Sequence, residues 1–350
     1  MVSPRLLALV RCPACRSVLR PCEGGLLCEA CAARYDARGQ FLDLRPREAF
    51  SEQTKYLDQS LHADARGETV SPPLLSAGVR HHMLRKFLEP APGDRVLDLG
   101  CGSGRVLVWN QPSGAYLAGL DVSPFFASEA CATADLALGD LRRLPFADGA
   151  FNKAYALDVF EHLSREGLQQ VLSEACRVLE RDGRLFVYSH VRKNSGLAVG
   201  LRAINRVARY LERAGLVDLS QERLRKSDHV NPLVDLPDLE RVVGDAGFHI
   251  ARIRYYTPLV AGLAENILLR MAEHRLTRRA ERRLGASRPG DPARREAMRA
   301  ARTSAKARVA NGGATYALLS ALTWVLRLDL VLWGRIRSGP FFALLVKEQA

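Results

Sequence analysis

The chain has 350 residues, 47% hydrophobic and 25% charged, with a formal net charge of +13. This apolar content excludes a disordered chain, and the length accommodates two or three domains. The basic excess points to an anionic partner such as RNA, an acidic membrane surface or a phosphorylated substrate, or to an arginine-rich proteome at large.

Met1 to Val10 is apolar but short, and cysteines follow at once, so no signal peptide is read and the expected compartment is the reducing cytosol. Cys12-Pro13-Ala14-Cys15 and Cys28-Glu29-Ala30-Cys31 are two C-x-x-C knuckles. Their spacing supplies four thiolates to one tetrahedral Zn2+, with Cys22 left as a spare thiol. Residues 17–20 and 25–27 read as the strands of a hairpin, so 1–45 is expected to be a zinc ribbon. A segment this small buries too little core to fold alone, so the metal would hold it together. With Tyr35 and Phe41-Leu42-Asp43-Leu44, the run from Leu6 resembles the small zinc-ribbon proteins that activate tRNA and protein methyltransferases. It also resembles the ribbon that precedes the catalytic domain of rRNA guanine-N1 methyltransferases. The resemblance implies a docking or substrate-guiding module.

Residues 46–90 read as a linker and helices. Ser71-Pro72-Pro73 breaks the chain, and 79–88 has apolar residues at helical spacing. His81 and His82 are expected at the surface.

Val96-Leu97-Asp98-Leu99-Gly100-Cys101-Gly102-Ser103-Gly104 reads as a buried strand running into a glycine turn, with a helix starting at Arg105. Glycine permits positive φ and a close approach of ligand to backbone. The spacing is G-x-G-x-G rather than the dinucleotide G-x-G-x-x-G, and the acid at the strand tip suits a cationic amine better than a pyrophosphate. The stretch resembles motif I of the class I S-adenosylmethionine-dependent methyltransferases. That resemblance implies an α/β, Rossmann-like fold with a seven-stranded, mostly parallel sheet in the order 3-2-1-4-5-7-6, strand seven antiparallel. It implies S-adenosyl-L-methionine as cofactor, held by Asp98, Gly100, Cys101, Gly102 and Gly104.

Residues 116–121 read as the second strand, ending in Asp121, and Val122-Ser123-Pro124 as the start of the next helix. Asp121 lies 23 residues after Asp98, close to the spacing at which a Rossmann-type acid meets the ribose hydroxyls. The resemblance gives Asp121 and Val122 that role. Residues 136–141 read as the third strand. Asp140 would accept from the adenine amine, and Leu141 would cover the ring.

Leu144-Pro145-Phe146-Ala147-Asp148-Gly149-Ala150-Phe151-Asn152 and the Glu161-His162-Leu163 tripeptide resemble type 11 methyltransferases. The fourth strand, 154–157, leads to Asp158, a further cofactor-binding position. His162 is the candidate catalytic base, since a histidine titrates near neutrality; a purely pocket-shaping role is the alternative. Asp158, Glu161 and His162 on one helical face would also resemble the metal site of quinone O-methyltransferases.

Residues 168–179 read as an amphipathic helix, 181–183 as a turn and 184–189 as the fifth strand. Asp228-His229-Val230-Asn231-Pro232 and the helix 239–248 resemble the late loop and helix of type 11 enzymes. Residues 249–256 are the expected sixth strand. The seventh fits 340–347, which leaves 257–340 as an insertion between the last two strands. Residues 270–310 carry twelve Arg and one Lys against four acids. The run 316–333 is apolar except for a stripe of Tyr316, Ser320, Thr323 and Arg327. Arg327 and Asp329 argue against a transmembrane span, so a lid or a membrane-surface element is favoured over a spanning helix.

The expected organisation is therefore a ribbon (1–45), linker and helices (46–90), methyltransferase core (91–256), helical insertion (257–340) and last strand (341–350). The expected activity is methyl transfer to an O, N or C nucleophile of a small-molecule or lipid-linked acceptor. The alternative is an rRNA or tRNA base methyltransferase guided by the ribbon, and a non-enzymatic scaffold is the third reading. Expected partners are the acceptor, RNA in the alternative case, and an anionic membrane surface contacted peripherally.

Overall fold

The computed structural model describes residues 3–46, 70–193, 196–219, 223, 227–272, 274–275, 278 and 312–348. Most of the arginine-rich stretch of the insertion, 279–311, lies outside them.

The centre of the molecule is β5 (Arg95–Leu99), whose residues from Val96 on are buried, as a parallel strand covered on both faces requires. Around it stand β6 (Tyr116–Asp121), β7 (Asp135–Leu138), β8 (Phe151–Leu157) and β9 (Leu179–His190). All four run parallel to β5 or to its neighbours. Beyond β9 lies β11 (Pro340–Lys347), antiparallel to both β9 and the edge strand β10 (Phe248–Tyr255). These seven strands have the order β7-β6-β5-β8-β9-β11-β10, which is the 3-2-1-4-5-7-6 arrangement. The fold is Rossmann-like with a mixed sheet.

The sheet does not stop at seven. The N-terminal segment contributes β1 (Leu19–Cys22), β2 (Gly25–Cys28), β3 (Arg34–Arg38) and β4 (Phe41–Asp43). Phe41, Leu42 and Asp43 pair in parallel with Leu136, Ala137 and Leu138. The edge of β7 is thus closed by β4, giving eleven strands in place of the expected seven. The physical reason is the open edge: its backbone N–H and C=O groups need partners, and the adjacent segment provides them. α1 (Pro4–Leu9), capped by the Ser3 hydroxyl, packs at the same end. Leu6, Val10, Leu42 and Leu44 belong to one buried cluster with Leu97, Leu99 and Ala118.

The helices α2 (Leu75–Leu88), α3 (Arg105–Asn110), α4 (Ser128–Thr133), α5 (Arg165–Val178), α6 (Ala198–Arg213) and α7 (Leu236–Asp245) flank the sheet or follow its strands. Three sequence expectations change. The helix after β6 begins at Ser128 rather than Val122, because the Asp121 carboxylate accepts Ser123 N–H and holds the chain in a turn. The fifth strand begins at Leu179, with the expected 181–183 turn kept as an irregularity within it: Asp182 has φ 59°, and the pairing with β8 shifts between Phe151 and Lys153. His81 is half-buried rather than on the open surface: its Nε2 lies 3.1 Å from Asn110 Oδ1 of α3, and burial lowers its pKa to about 4.

The insertion begins with α8 (Leu259–Leu263) and a π-helical turn, Ala264–Leu269. It returns through α9 (Ala314–Leu326) and α10 (Leu328–Trp333). α9 packs on α2 and α8. Thr323 is 5% exposed and its hydroxyl oxygen accepts Leu75 N–H at 2.7 Å. Asp329 is fully buried and accepts the N–H groups of Val260 and Ala261 at 2.9 Å each. Part of the polar stripe read from the sequence therefore faces the protein.

Candidate active site

β5 ends at Leu99 and the chain turns through Gly100, Gly102 and Gly104, at φ 77°, 54° and 77°. Such angles favour glycine. A Cβ on Gly100 would also lie 2.7 Å from Val159 Cγ2, and one on Gly104 would lie 2.5 Å from Ala130 Cβ, whereas Gly102 faces open space. Gly100 N–H and Cys101 N–H donate to Leu120 O at 2.9 and 3.1 Å. The Asp121 carboxylate fastens the turn from the tip of β6, accepting Gly102 N–H at 2.7 Å and Ser123 N–H at 2.8 Å. Burial pushes its carboxyl above the ordinary value, and those two backbone donors work against the rise.

Asp98 is 3% exposed, and neither its Oδ2 nor the buried hydroxyl of Tyr155 beside it has a hydrogen-bond partner. Burial pushes the Asp98 carboxyl well above the usual range; the neighbouring Tyr155 hydroxyl works against the rise and the charge of Asp121 adds to it. A buried carboxylate oxygen that lacks a full hydrogen bond is stabilised when a cation reaches it. An ammonium at Asp98, a ligand passing over the open side of Gly102 and hydroxyls at Asp121 together match S-adenosylmethionine, so these residues fit that cofactor.

The remaining expected cofactor residues are placed as follows. Val122 follows Asp121, and its carbonyl accepts from Arg45 at the end of the ribbon segment at 3.4 Å. Leu141 reaches the glycine turn, its Cδ1 standing 3.7 Å from the position a Gly100 Cβ would take. Asp140 accepts Arg142 N–H at 2.9 Å and holds the Arg142 guanidinium at 3.0 Å, so its oxygens are already engaged. Asp158 follows β8 with φ 56°, and its carboxylate lies 3.7 Å from Arg80 of α2.

After Asp158 the chain forms a short 3-10 turn, Phe160–His162. Because β8 runs parallel to β5, both strands deliver their following turns to the same edge of the sheet. The close approach of Val159 to Gly100 joins them. His162 Nδ1 lies 3.1 Å from Asp228 Oδ1, and the His162 side chain is 19% exposed. His229 stands edge-on to the His162 ring, with centroids 4.7 Å apart, and His190 lies 5.7 Å from His229. The His190 Nε2 is 2.5 Å from Asn231 Oδ1. The 228–232 loop is pinned by Val230 N–H and Asn231 N–H, which both donate to Glu161 O at 2.8 and 3.0 Å. The buried Glu161 carboxylate accepts from the Ser189 hydroxyl at 3.1 Å. Burial first, then the charge of Asp158, raises its pKa to about 8.

Two features here were not assigned in the sequence. Asp228 was seen only as part of a family loop, and its pairing with His162 is new. The donor atoms of Glu161, His162 and His229 lie within 4.8 Å of one another, so His229 stands in that group where the sequence placed Asp158.

At the other end of the molecule, the sulfurs of Cys12, Cys15, Cys28 and Cys31 lie within 4.8 Å of one another. The Cys12–Cys31 and Cys15–Cys28 separations are 3.6 and 3.4 Å. A zinc tetrahedron with ligands at 2.3 Å has edges of about 3.8 Å, so the four thiols fit the metal. Arg16 and Ala32, directly after each second cysteine, take φ 62° and 58°. This left-handed residue turns each knuckle back on itself. Cys22 is not part of the group.

Comparisons with known proteins bear on the core. The chain is 33% identical over 106 residues to an uncharacterized methyltransferase, sll0829, of Synechocystis sp., covering 29% of this chain and 50% of that one. It is 26% identical over 185 residues to the sterol 4-C-methyltransferase strm-1 of Caenorhabditis elegans, covering 48% and 54%. It thus spans about half the length of these curated relatives. Among solved structures the chain is similar to Haemonchus contortus phosphoethanolamine N-methyltransferase 2 in complex with S-adenosyl-L-methionine. That likeness has a TM-score of 0.47 at 18% identity, over 85% of this chain and 59% of the other. Residues 97–187, from β5 into β9, match the methyltransferase domain family.

Proposed function

We propose that the chain is an S-adenosylmethionine-dependent methyltransferase acting on a small-molecule or lipid-linked acceptor, with a hydroxyl as the best-suited nucleophile. The observation that carries this reading is the His162–Asp228 pair beside the glycine turn. Asp228 Oδ1, 3.1 Å from His162 Nδ1, would orient the ring by accepting from that nitrogen, and Nε2 would then be the atom that takes a proton from the acceptor. When bound, S-adenosylmethionine supplies a methyl group on a sulfonium that is already a good leaving group. The task left to the protein is alignment and proton removal. Asp98 would hold the ammonium, Asp121 and Val122 the ribose, and Gly100 to Gly104 the backbone-facing side. Asp140, Leu141 and Asp158 would border the adenine and the methyl-transfer region.

The sterol enzyme among the relatives supports an apolar acceptor, and a lipid-linked acceptor would be met at a membrane surface. An rRNA or tRNA base is the second reading, favoured by the net charge. A structural Zn2+ on Cys12, Cys15, Cys28 and Cys31 belongs to both readings. Transfer of labelled methyl from the cofactor into total lipid, RNA and protein extracts decides between them. Label in the lipid or small-molecule fraction supports the first, and label confined to RNA replaces it with the second. Absence of any transfer, together with no calorimetric binding of S-adenosylhomocysteine, removes both.

A further inference from the structure

α9 and α10 expose the wrong face for a helix pair in water. Leu318, Trp324 and Val331 are 69%, 68% and 70% exposed, and Leu328 and Leu332 are exposed beside them. The polar and charged residues Thr323 and Asp329 are instead turned into the protein. Ala314–Trp333 is long and apolar enough to cross a membrane by length and composition. Its hydrogen bonds to α2 and α8 through Thr323 and Asp329 tie it flat against the domain instead.

Next to this ridge is a groove of about 440 Å³ between the last turns of α2, β10 and α10. Four cations line it, Lys86, Arg252, Arg254 and Arg327, and no carboxylate does. None of the four forms an ion pair among the described residues. Arg252 lies over the Phe87 ring at 4.6 Å, Arg254 donates to Leu330 O at 3.0 Å, and the buried Nε of Arg327 has no hydrogen-bond partner. His82 on the same wall has a lowered pKa, through burial and then the charges of Arg327 and Lys86. A cationic groove flanked by an apolar ridge is the pattern of a surface that sits on an anionic leaflet. Trp324 has the amphipathic ring favoured at such an interface.

We propose that this face docks the protein on an anionic membrane, with the ridge entering the headgroup region and the groove taking a lipid phosphate. A second copy of the chain is the weaker occupant. Two-fold pairing would bury the ridge but set the same uncompensated cations against each other. The proposal does not depend on methyl transfer, since none of the groove residues belongs to the glycine turn or the His162 cluster.

The test is flotation of the full chain with phosphatidylcholine vesicles, with and without phosphatidylglycerol. Binding to the anionic vesicles alone is expected, weakened and not abolished by 1 M salt, where the Debye length is about 3 Å. The double variant Lys86→Gln/Arg252→Gln should lose anionic binding by about tenfold or more. Trp324→Ser/Val331→Ser should lose the salt-resistant remainder. All four side chains lie at the surface or on its rim, and unchanged circular dichroism and S-adenosylhomocysteine binding would show the fold intact. The arginine-rich residues 279–311 offer a competing source of vesicle binding. If both double variants float like the parent, the binding belongs elsewhere and the groove assignment is wrong. It is equally overturned if no vesicle binds, or if the parent is a dimer that Trp324→Ser/Val331→Ser makes monomeric.

Discussion

His162 shows how one residue depends on a distant one. Its turn follows Val159, which meets Gly100, and its Nδ1 lies against Asp228, 66 positions later. His162→Ala should lower kcat by about 10²–10⁴-fold, the usual weight of general-base catalysis, with S-adenosylhomocysteine affinity unchanged. Asp228→Asn should cost less and displace the acid limb of the pH–rate profile. Parent-like rates and profile in His162→Ala would mean that alignment alone suffices. Glu161 gives a pH prediction. Its folded pKa of about 8 lies above the ordinary carboxyl value of 4.5, so the folded state holds its proton more tightly than the unfolded chain. That contribution to stability is complete below about pH 4.5 and is lost as the pH rises through about 8. Glu161→Gln stays neutral while still accepting from Ser189, so its melting temperature relative to the parent should climb between pH 5 and pH 8. A constant difference across that range would show that Glu161 is ionised throughout. The places of Asp98, the glycines and Asp121 at strand tips and in the turn were legible because local spacing fixes them, while their cofactor roles rest on resemblance. The His162–Asp228 pair and the burial of His81 against Asn110 were not, because each needs two segments that only the fold brings together.

At the scale of elements, local apolar patterning located the core strands, including the run at 340–347, while their order came from the resemblance to class I methyltransferases. β3 and β4 were missed because Arg34–Arg38 is mostly charged and exposed and Phe41–Asp43 is only three residues long. They are strands by pairing with their neighbours, not by pattern. The orientation of the α9–α10 pair was not legible for a related reason: in a sequence that is apolar almost all round, nothing says which face meets the protein until Thr323 and Asp329 find their backbone donors. The grouping of Cys12, Cys15, Cys28 and Cys31 was legible, since two C-x-x-C pairs and a hairpin are local. One zinc per chain is expected by elemental analysis of protein prepared without chelator. Cys15→Ser should lose it and Cys22→Ser should keep it. A metal-free parent, or loss of zinc in Cys22→Ser, would remove the assignment.

Across the whole molecule, the ribbon segment and the Rossmann-like core are bound by more than a tether. β4 pairs with β7. Val10 bridges to Phe146, and Ala147 N–H donates to Leu9 O at 2.8 Å. Arg16 reaches Glu174, which also accepts Leu144 N–H at 2.8 Å and the Arg177 guanidinium. With one buried cluster running from Leu6 to Leu345, the two parts should unfold together, because neither can leave without exposing the other's core. Leu42 is fully buried in that shared cluster, on β4. Leu42→Ala should therefore destabilise by about 2–5 kcal/mol, the range for removing a buried leucine side chain. Calorimetry should show a single endotherm in the parent, and the variant should move all of it to lower temperature, including the part that S-adenosylhomocysteine raises. Two resolved endotherms, with Leu42→Ala shifting only one and S-adenosylhomocysteine only the other, would mean that the ribbon is an independent domain resting on the sheet edge.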